Sequence, residues 1–108
     1  MTKDKKIKIP EKLETSEERK FVNAVKVLFT RWKTVKLNLR GNAGWPDQLV
    51  LGPNGIMLMI EFKREKGGEL SKNQEILHRE LQQMNHRVCV AYTAEDALRY
   101  IRAYRRIL

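Results

Sequence analysis

The segment Ile56–Lys63, reading Ile-Met-Leu-Met-Ile-Glu-Phe-Lys, constrains this chain more than any other. Its first five residues are apolar at every position. As a strand they would be apolar on both faces, so they need cover on both sides and a central place in a sheet. The run then ends in Glu61-Phe62-Lys63. Side chains alternate along a strand, so Ile56, Leu58, Ile60 and Phe62 share one face, and Met57, Met59, Glu61 and Lys63 share the other. An acid and an amine therefore project together from the end of a buried strand. A solvated strand end with a weak surface ion pair gives the same local pattern, so the neighbouring residues have to decide.

The decisive neighbour is Asp47. It opens a second expected strand, Asp47–Leu51, and Gly52-Pro53-Asn54-Gly55 is a strong turn signal between the two. In an antiparallel hairpin, pairs with an even residue sum, such as 47 with 61, put Asp47 on the face of Glu61 and Lys63. An odd sum puts it on the opposite face. A loop confined to 52–55 gives the odd register. Convergence of the two acids thus requires a five-residue connection or a bulge near the turn.

Around this hairpin the expected order is α-β-β-β-α-β-α. A helix begins near Ser16, with Glu17 and Glu18 in its first turn. It carries an apolar stripe of Phe21, Val22, Val25, Leu28, Phe29 and Trp32. A short strand follows at about 35–39, then a loop through Gly41, Gly44 and Pro46. Ser71 caps a second helix, roughly 72–84, and Ser71 with Gln74 fits a capping box. A strand at about 88–92 and a helix from Ala94 to about Arg106, capped by Thr93 with Asp96, complete the chain. The fold class is α/β: a single domain with a mixed four-stranded sheet flanked by helices, spanning residues 15–108 behind a basic mobile arm at 1–14.

Lys and Arg outnumber Asp and Glu by 22 to 13, a net charge of +9. A surplus of this size in a small domain favours a polyanionic partner. Nucleic acid leads, ahead of an anionic membrane surface or simple solubility. Cys89 is the one cysteine; inside an apolar run it reads as a buried strand residue. No intrachain disulfide is possible, and no signal peptide or membrane span is evident, so a cytoplasmic protein is expected. His78 and His86 stand apart from any zinc-type spacing and read as surface or cap residues.

Two carboxylates at one point are oxygen ligands for a hard cation, Mg²⁺ or Mn²⁺, which activates water and neutralises phosphate charge. Lys63 would then orient that water or stabilise charge developing in the transition state. Glu18 falls within the apolar stripe of the first helix. An acid there either rests in an exposed first turn or approaches the metal site, directly or through water. Gln74 lies near the apolar side of its helix, as a capping residue, a site residue, or both in turn.

The strings Gly44-Trp45-Pro46-Asp47, Glu61-Phe62-Lys63 and Gly67-Gly68-Glu69-Leu70-Ser71-Lys72-Asn73-Gln74 resemble the VRR-NUC family, the virus-type replication-repair nucleases of the PD-(D/E)XK superfamily. The resemblance runs from about Ser16 to Ile101. It implies that Asp47 and Glu61 are metal ligands with the backbone carbonyl of Phe62, that Lys63 is the catalytic lysine, and that Gln74 helps order the site. Glu18 matches the family's first-helix glutamate best, with Glu17 the alternative. Stand-alone members resemble phage and bacterial proteins that dimerise and cut branched DNA such as Holliday junctions; members inside larger proteins act on flaps.

Lys33, Lys36, Arg40, Arg64, Lys66 and Lys72 flank the expected site as DNA-phosphate contacts, and Gly67-Gly68 would let a backbone approach closely. Arg99, Arg102 and Arg106 either extend the basic surface or solvate an outer face. Cutting both strands of a symmetric junction takes two sites, hence a homodimer, with Trp32, Met57 and Met59 as interface or core. The competing readings are a non-catalytic basic nucleic-acid-binding module, or a nuclease subunit active only with a replication or repair partner.

Overall fold

The computed structural model describes residues 16–37, 44–64 and 69–105. The arm at 1–14, Arg40, Lys66, Gly67, Gly68 and Arg106 lie outside them. Helix α1 spans Ser16–Leu28, followed by strands β1 (Lys33–Lys36), β2 (Gln48–Leu51) and β3 (Met57–Phe62). Helix α2 (Lys72–Gln83), strand β4 (Arg87–Ala91) and helix α3 (Ala94–Arg105) follow. The order matches expectation, with a short 3-10 turn at Pro53–Gly55 in the hairpin. No helix among the described residues is long and apolar enough to cross a membrane.

The sheet has four strands in the order β1-β2-β3-β4. β1 runs antiparallel to β2, β2 antiparallel to β3, and β3 parallel to β4. The sheet is therefore mixed, and β3 is interior. Leu58, Met59, Ile60, Glu61 and Phe62 are all buried, as a strand covered on both faces requires. β1 begins two residues before the expected start. Its ladder with β2 decides this, because Lys33 pairs with Leu51 and Thr34 with Val50.

The main core fills one face of the sheet. Val50, Leu58, Ile60, Phe62 and Ala91 pack there against Phe21, Val25 and Phe29 from α1 and its exit turn, and against Ala97, Leu98 and Ile101 of α3. Trp32 lies over Gly52, where an added Cβ would stand 2.6 Å from the indole. Leu28, expected in the apolar stripe, is exposed instead. It is the last helical residue and lies at the stripe's edge. Trp32 and Met59 fill the interior, while Met57 is 38% exposed.

Both capping motifs form. Gln74 N–H donates to Ser71 Oγ and Ser71 N–H donates to Gln74 Oε1. Asp96 N–H donates to Thr93 Oγ1, and Thr93 N–H donates to Asp96 Oδ2. Arg99 pairs with Asp96 and Arg102 with Glu95 on the outer side of α3, which favours a solvated face over a free basic surface. Cys89 is half-buried in β4, and burial pushes its thiol up to about 11, away from thiolate chemistry.

Candidate active site

The hairpin register decides whether Asp47 and Glu61 can meet. Gln48 pairs with Ile60, Leu49 with Met59, Val50 with Leu58 and Leu51 with Met57, so every pair sums to 108. The sum is even, and the connection left between Leu51 and Met57 runs 52–56, five residues. Ile56 joins the Gly-Pro-Asn-Gly turn, and Gly52 N–H closes it by donating to the Ile56 carbonyl at 2.8 Å. Continued by one residue, the register sets Asp47 opposite Glu61 on one face of the pleat.

Asp47 sits where β2 begins, 2% exposed, behind the buried Pro46. Its Oδ2 accepts the Phe62 N–H at 2.8 Å. Lys63 N–H points the other way and donates to Ala91 of β4 at 2.9 Å. Alternation along β3 therefore sends the Phe62 carbonyl, like its N–H, toward the Asp47 side. Gly44, three residues earlier, holds φ +89, and an added Cβ there would lie 3.3 Å from the Asn73 carbonyl oxygen. A glycine thus lets the loop before Asp47 turn against the start of α2.

Glu61 is also 2% exposed. Gln74 Nε2 donates to its Oε2 at 3.0 Å, and Lys63 Nζ lies 3.6 Å from the same oxygen. Gln74 fills the capping and site roles at once, one through Oε1 and the other through Nε2.

Glu18 is completely buried. Its Oε2 accepts Gln48 Nε2 at 2.6 Å and Lys36 Nζ at 2.8 Å. Burial pushes its carboxyl up, against the downward pull of the Lys36 and Gln48 hydrogen bonds; the negative charge of Asp47 adds to the rise. Glu17 goes elsewhere: its Oε1 accepts Ala94 N–H at 2.8 Å and caps α3. That bond, with one from Lys20, holds the Glu17 carboxyl below the usual range. Of the two first-turn acids, Glu18 is the one that reaches Asp47's surroundings.

Lys36 and His78 stand apart from their expected settings. Lys36 is not a surface phosphate contact. Its side chain is 8% exposed, and Nζ lies 2.8 Å from Glu18 and 3.4 Å from Asp47. His78 is not a surface or cap residue. It is 5% exposed, one turn after Gln74 on the inner side of α2, and its Nε2 has no hydrogen-bond partner among the described residues. Burial lowers its imidazole pKa, the Lys63 charge lowers it further, and the Asp47 charge opposes both. Gln48 was not foreseen at all. Its signal was available: it follows Asp47, and the pleat turns it to the α1 face beside Glu18.

Of the remaining cations, Arg64 and Lys72 are exposed next to β3 and at the start of α2. Lys33 is exposed but pairs with Leu51 at the turn end of the hairpin, away from Asp47, so it does not surround the site. Arg40 and Lys66 fall outside the described residues.

Among the described residues, no group of three or more His, Cys, Asp or Glu side chains could hold a metal ion. Two carboxylates with one backbone carbonyl nevertheless suit Mg²⁺, which binds through one or two carboxylates and keeps several waters. The donor set of Asp47, Glu61 and the Phe62 carbonyl is all oxygen, as a hard cation prefers.

No family model matches the sequence, and no curated protein matches it either. The structure is similar to a solved structure titled VRR_NUC domain, with TM-score 0.66 at 25% identity, over 83% of this chain and 98% of that one. The likeness suggests a nuclease of the PD-(D/E)XK type, and a nuclease domain implies DNA binding. The chain has the restriction-endonuclease-like fold of the VRR-NUC domains, and that match supports its place in the VRR-NUC family.

Proposed function

We propose that the protein is a Mg²⁺- or Mn²⁺-dependent, structure-selective DNA endonuclease that hydrolyses phosphodiester bonds in branched DNA during replication, recombination or repair. The observation that carries this reading is the even hairpin register, which sets Asp47 opposite Glu61 beside Lys63.

Asp47, Glu61 and the Phe62 carbonyl would hold the divalent ion. That ion would supply charge neutralisation on the phosphate and a more acidic water. The chain's own groups do the rest. Gln74 fixes the Glu61 carboxylate, and the Phe62 N–H fixes that of Asp47, so neither acid has to be ordered when substrate arrives. Lys63, 19% exposed, keeps its ammonium near Glu61 and within reach of an entering phosphate, where it stabilises charge that builds on the phosphoryl oxygens. Arg64 and Lys72 steer the backbone toward this edge without reading sequence.

A homodimer would supply the two sites that a symmetric junction needs. Val35, Leu51 and Met57 are exposed apolar side chains on one face of the sheet by register, and they support a second copy there. We place this activity in the cytoplasm of a bacterial or phage-infected cell, with replication or repair proteins as further partners.

The test is a cleavage panel of four-way junctions, flaps, duplex and single strands with Mg²⁺ or Mn²⁺. Wild type is expected to cut branched DNA, and Asp47→Ala and Lys63→Ala to be inactive. Equal cutting by wild type and Asp47→Ala would overturn the assignment.

A further inference from the structure

The site holds a cation of its own. Lys36 lies on β1, paired across the strands with Gln48, and Leu37 N–H donates to the Asp47 carbonyl at 2.9 Å. This ladder fixes the backbone of β1 beside Asp47. The Lys36 side chain then turns inward, and its ammonium lies between two buried acids from different elements, Glu18 of α1 at 2.8 Å and Asp47 at 3.4 Å.

A buried ammonium is costly unless an acid accompanies it, and two neighbouring buried carboxylates repel each other unless a cation lies between them. We propose that Lys36 is a resident counter-ion that holds Glu18 and Asp47 together and competes with the divalent ion for Asp47. The inference rests on the metal-dependent reading of the site. The two distances rank the partners: Glu18 is the closer one, so it retains the ammonium when Asp47 takes up an incoming ion. Gln48, donating to the same Glu18 oxygen at 2.6 Å, keeps that acid in place. The arrangement keeps the fold sound at low metal concentration at the expense of metal affinity, since a positive charge near a divalent ion repels it.

The experiment is a Mn²⁺ titration by calorimetry on the full chain, with thermal unfolding in EDTA and in Mn²⁺ alongside. Lys36→Met is expected to bind Mn²⁺ roughly tenfold more tightly than wild type, because one nearby like charge has gone. It should also have a lower Tm in EDTA and gain more from Mn²⁺ than wild type does. Lys36→Arg keeps the charge and should bind as wild type. If Lys36→Met is unfolded in EDTA, Mn²⁺ should refold it, and failure to refold at saturating Mn²⁺ overturns the inference. Equal or weaker Mn²⁺ binding by folded Lys36→Met overturns it as well, as does tighter binding by Lys36→Arg. Asp47→Asn separates the two readings. If wild type binds and Asp47→Asn does not, an unchanged Lys36→Met sinks only the counter-ion. If wild type binds no Mn²⁺, the metal site fails and the counter-ion fails with it.

Discussion

Gln74 donates from Nε2 to Glu61 Oε2 at 3.0 Å, while its Oε1 accepts Ser71 N–H at 2.9 Å. One amide thus fastens the first turn of α2 and holds an acid of the site. The two tasks use different atoms, so substitutions can separate them. Gln74→Glu keeps an acceptor for Ser71, so the capping box survives, but it replaces the donor to buried Glu61 with a second carboxylate and should cost about 1–3 kcal/mol. It puts a negative charge beside Glu61 and should lose most cleavage. Gln74→Ala should lose cleavage and about 1 kcal/mol of stability. Urea denaturation set beside cleavage of a branched substrate checks both; wild-type cutting by Gln74→Glu would remove Gln74 from the site.

The two neighbouring glutamates of α1 make opposite predictions. Glu17 caps α3 through Ala94 N–H and is partly exposed. Glu17→Ala should lower stability by about 0.5–1 kcal/mol, the size of a helix N-terminal charge effect, and leave cleavage unchanged. Glu18→Gln should reduce cleavage, because Lys36 loses its nearer acid. Activity per folded molecule, with folding followed by circular dichroism, distinguishes them.

His78 gives a pH dependence whose sign can be worked out. Its folded pKa is depressed below the ordinary value of 6.5, mainly by burial and then by Lys63. The unfolded chain therefore binds a proton that the folded chain refuses. The His78 contribution is flat above about pH 6.5, and stability falls as pH drops below that value, levelling off under the folded pKa. Denaturant midpoints at pH 5.5 and 7.5 should show a smaller acid loss in His78→Phe than in wild type. Identical pH profiles would mean that His78 titrates normally in the fold.

Gly52 tests the packing behind the hairpin. A Cβ there would meet the Trp32 ring at 2.6 Å. The ring is held in the interior and stacks at a tilt against Tyr104, so it has little room to retreat. Gly52→Ala should destabilise by about 1–3 kcal/mol, as overpacking does. The urea midpoint should fall with an unchanged slope.

Much of this geometry was legible in the sequence. The interior place of β3 followed from its apolar run, and Ser71-Gln74 and Thr93-Asp96 announced two helix starts through local chemistry. The sequence poses the hairpin parity but does not decide it, because Gly-Pro-Asn-Gly alone suits a four-residue loop and only the ladder shows that Ile56 belongs to the connection. The settings of Lys36 and His78 escape a reading of the sequence for one shared reason. Lysine is mostly exposed and histidine intermediate in burial, and here their burial arises from elements distant in the chain: α1 and β2 for Lys36, the Asp47–Lys63 edge for His78. The spacing Gln74-x-x-x-His78 does place both on one side of α2, which was the available hint.

Phe62 serves two regions at once. Its ring packs on Phe21 at 5.6 Å in the interior, and its main-chain N–H holds Asp47. The residue between the acid and the amine is thus a rivet through the sheet, and the chemistry on one side is aligned by packing on the other. A slack interior would misalign the carboxylates without touching them. Variants at Phe21, remote from any substrate, should therefore lose turnover before they lose the fold.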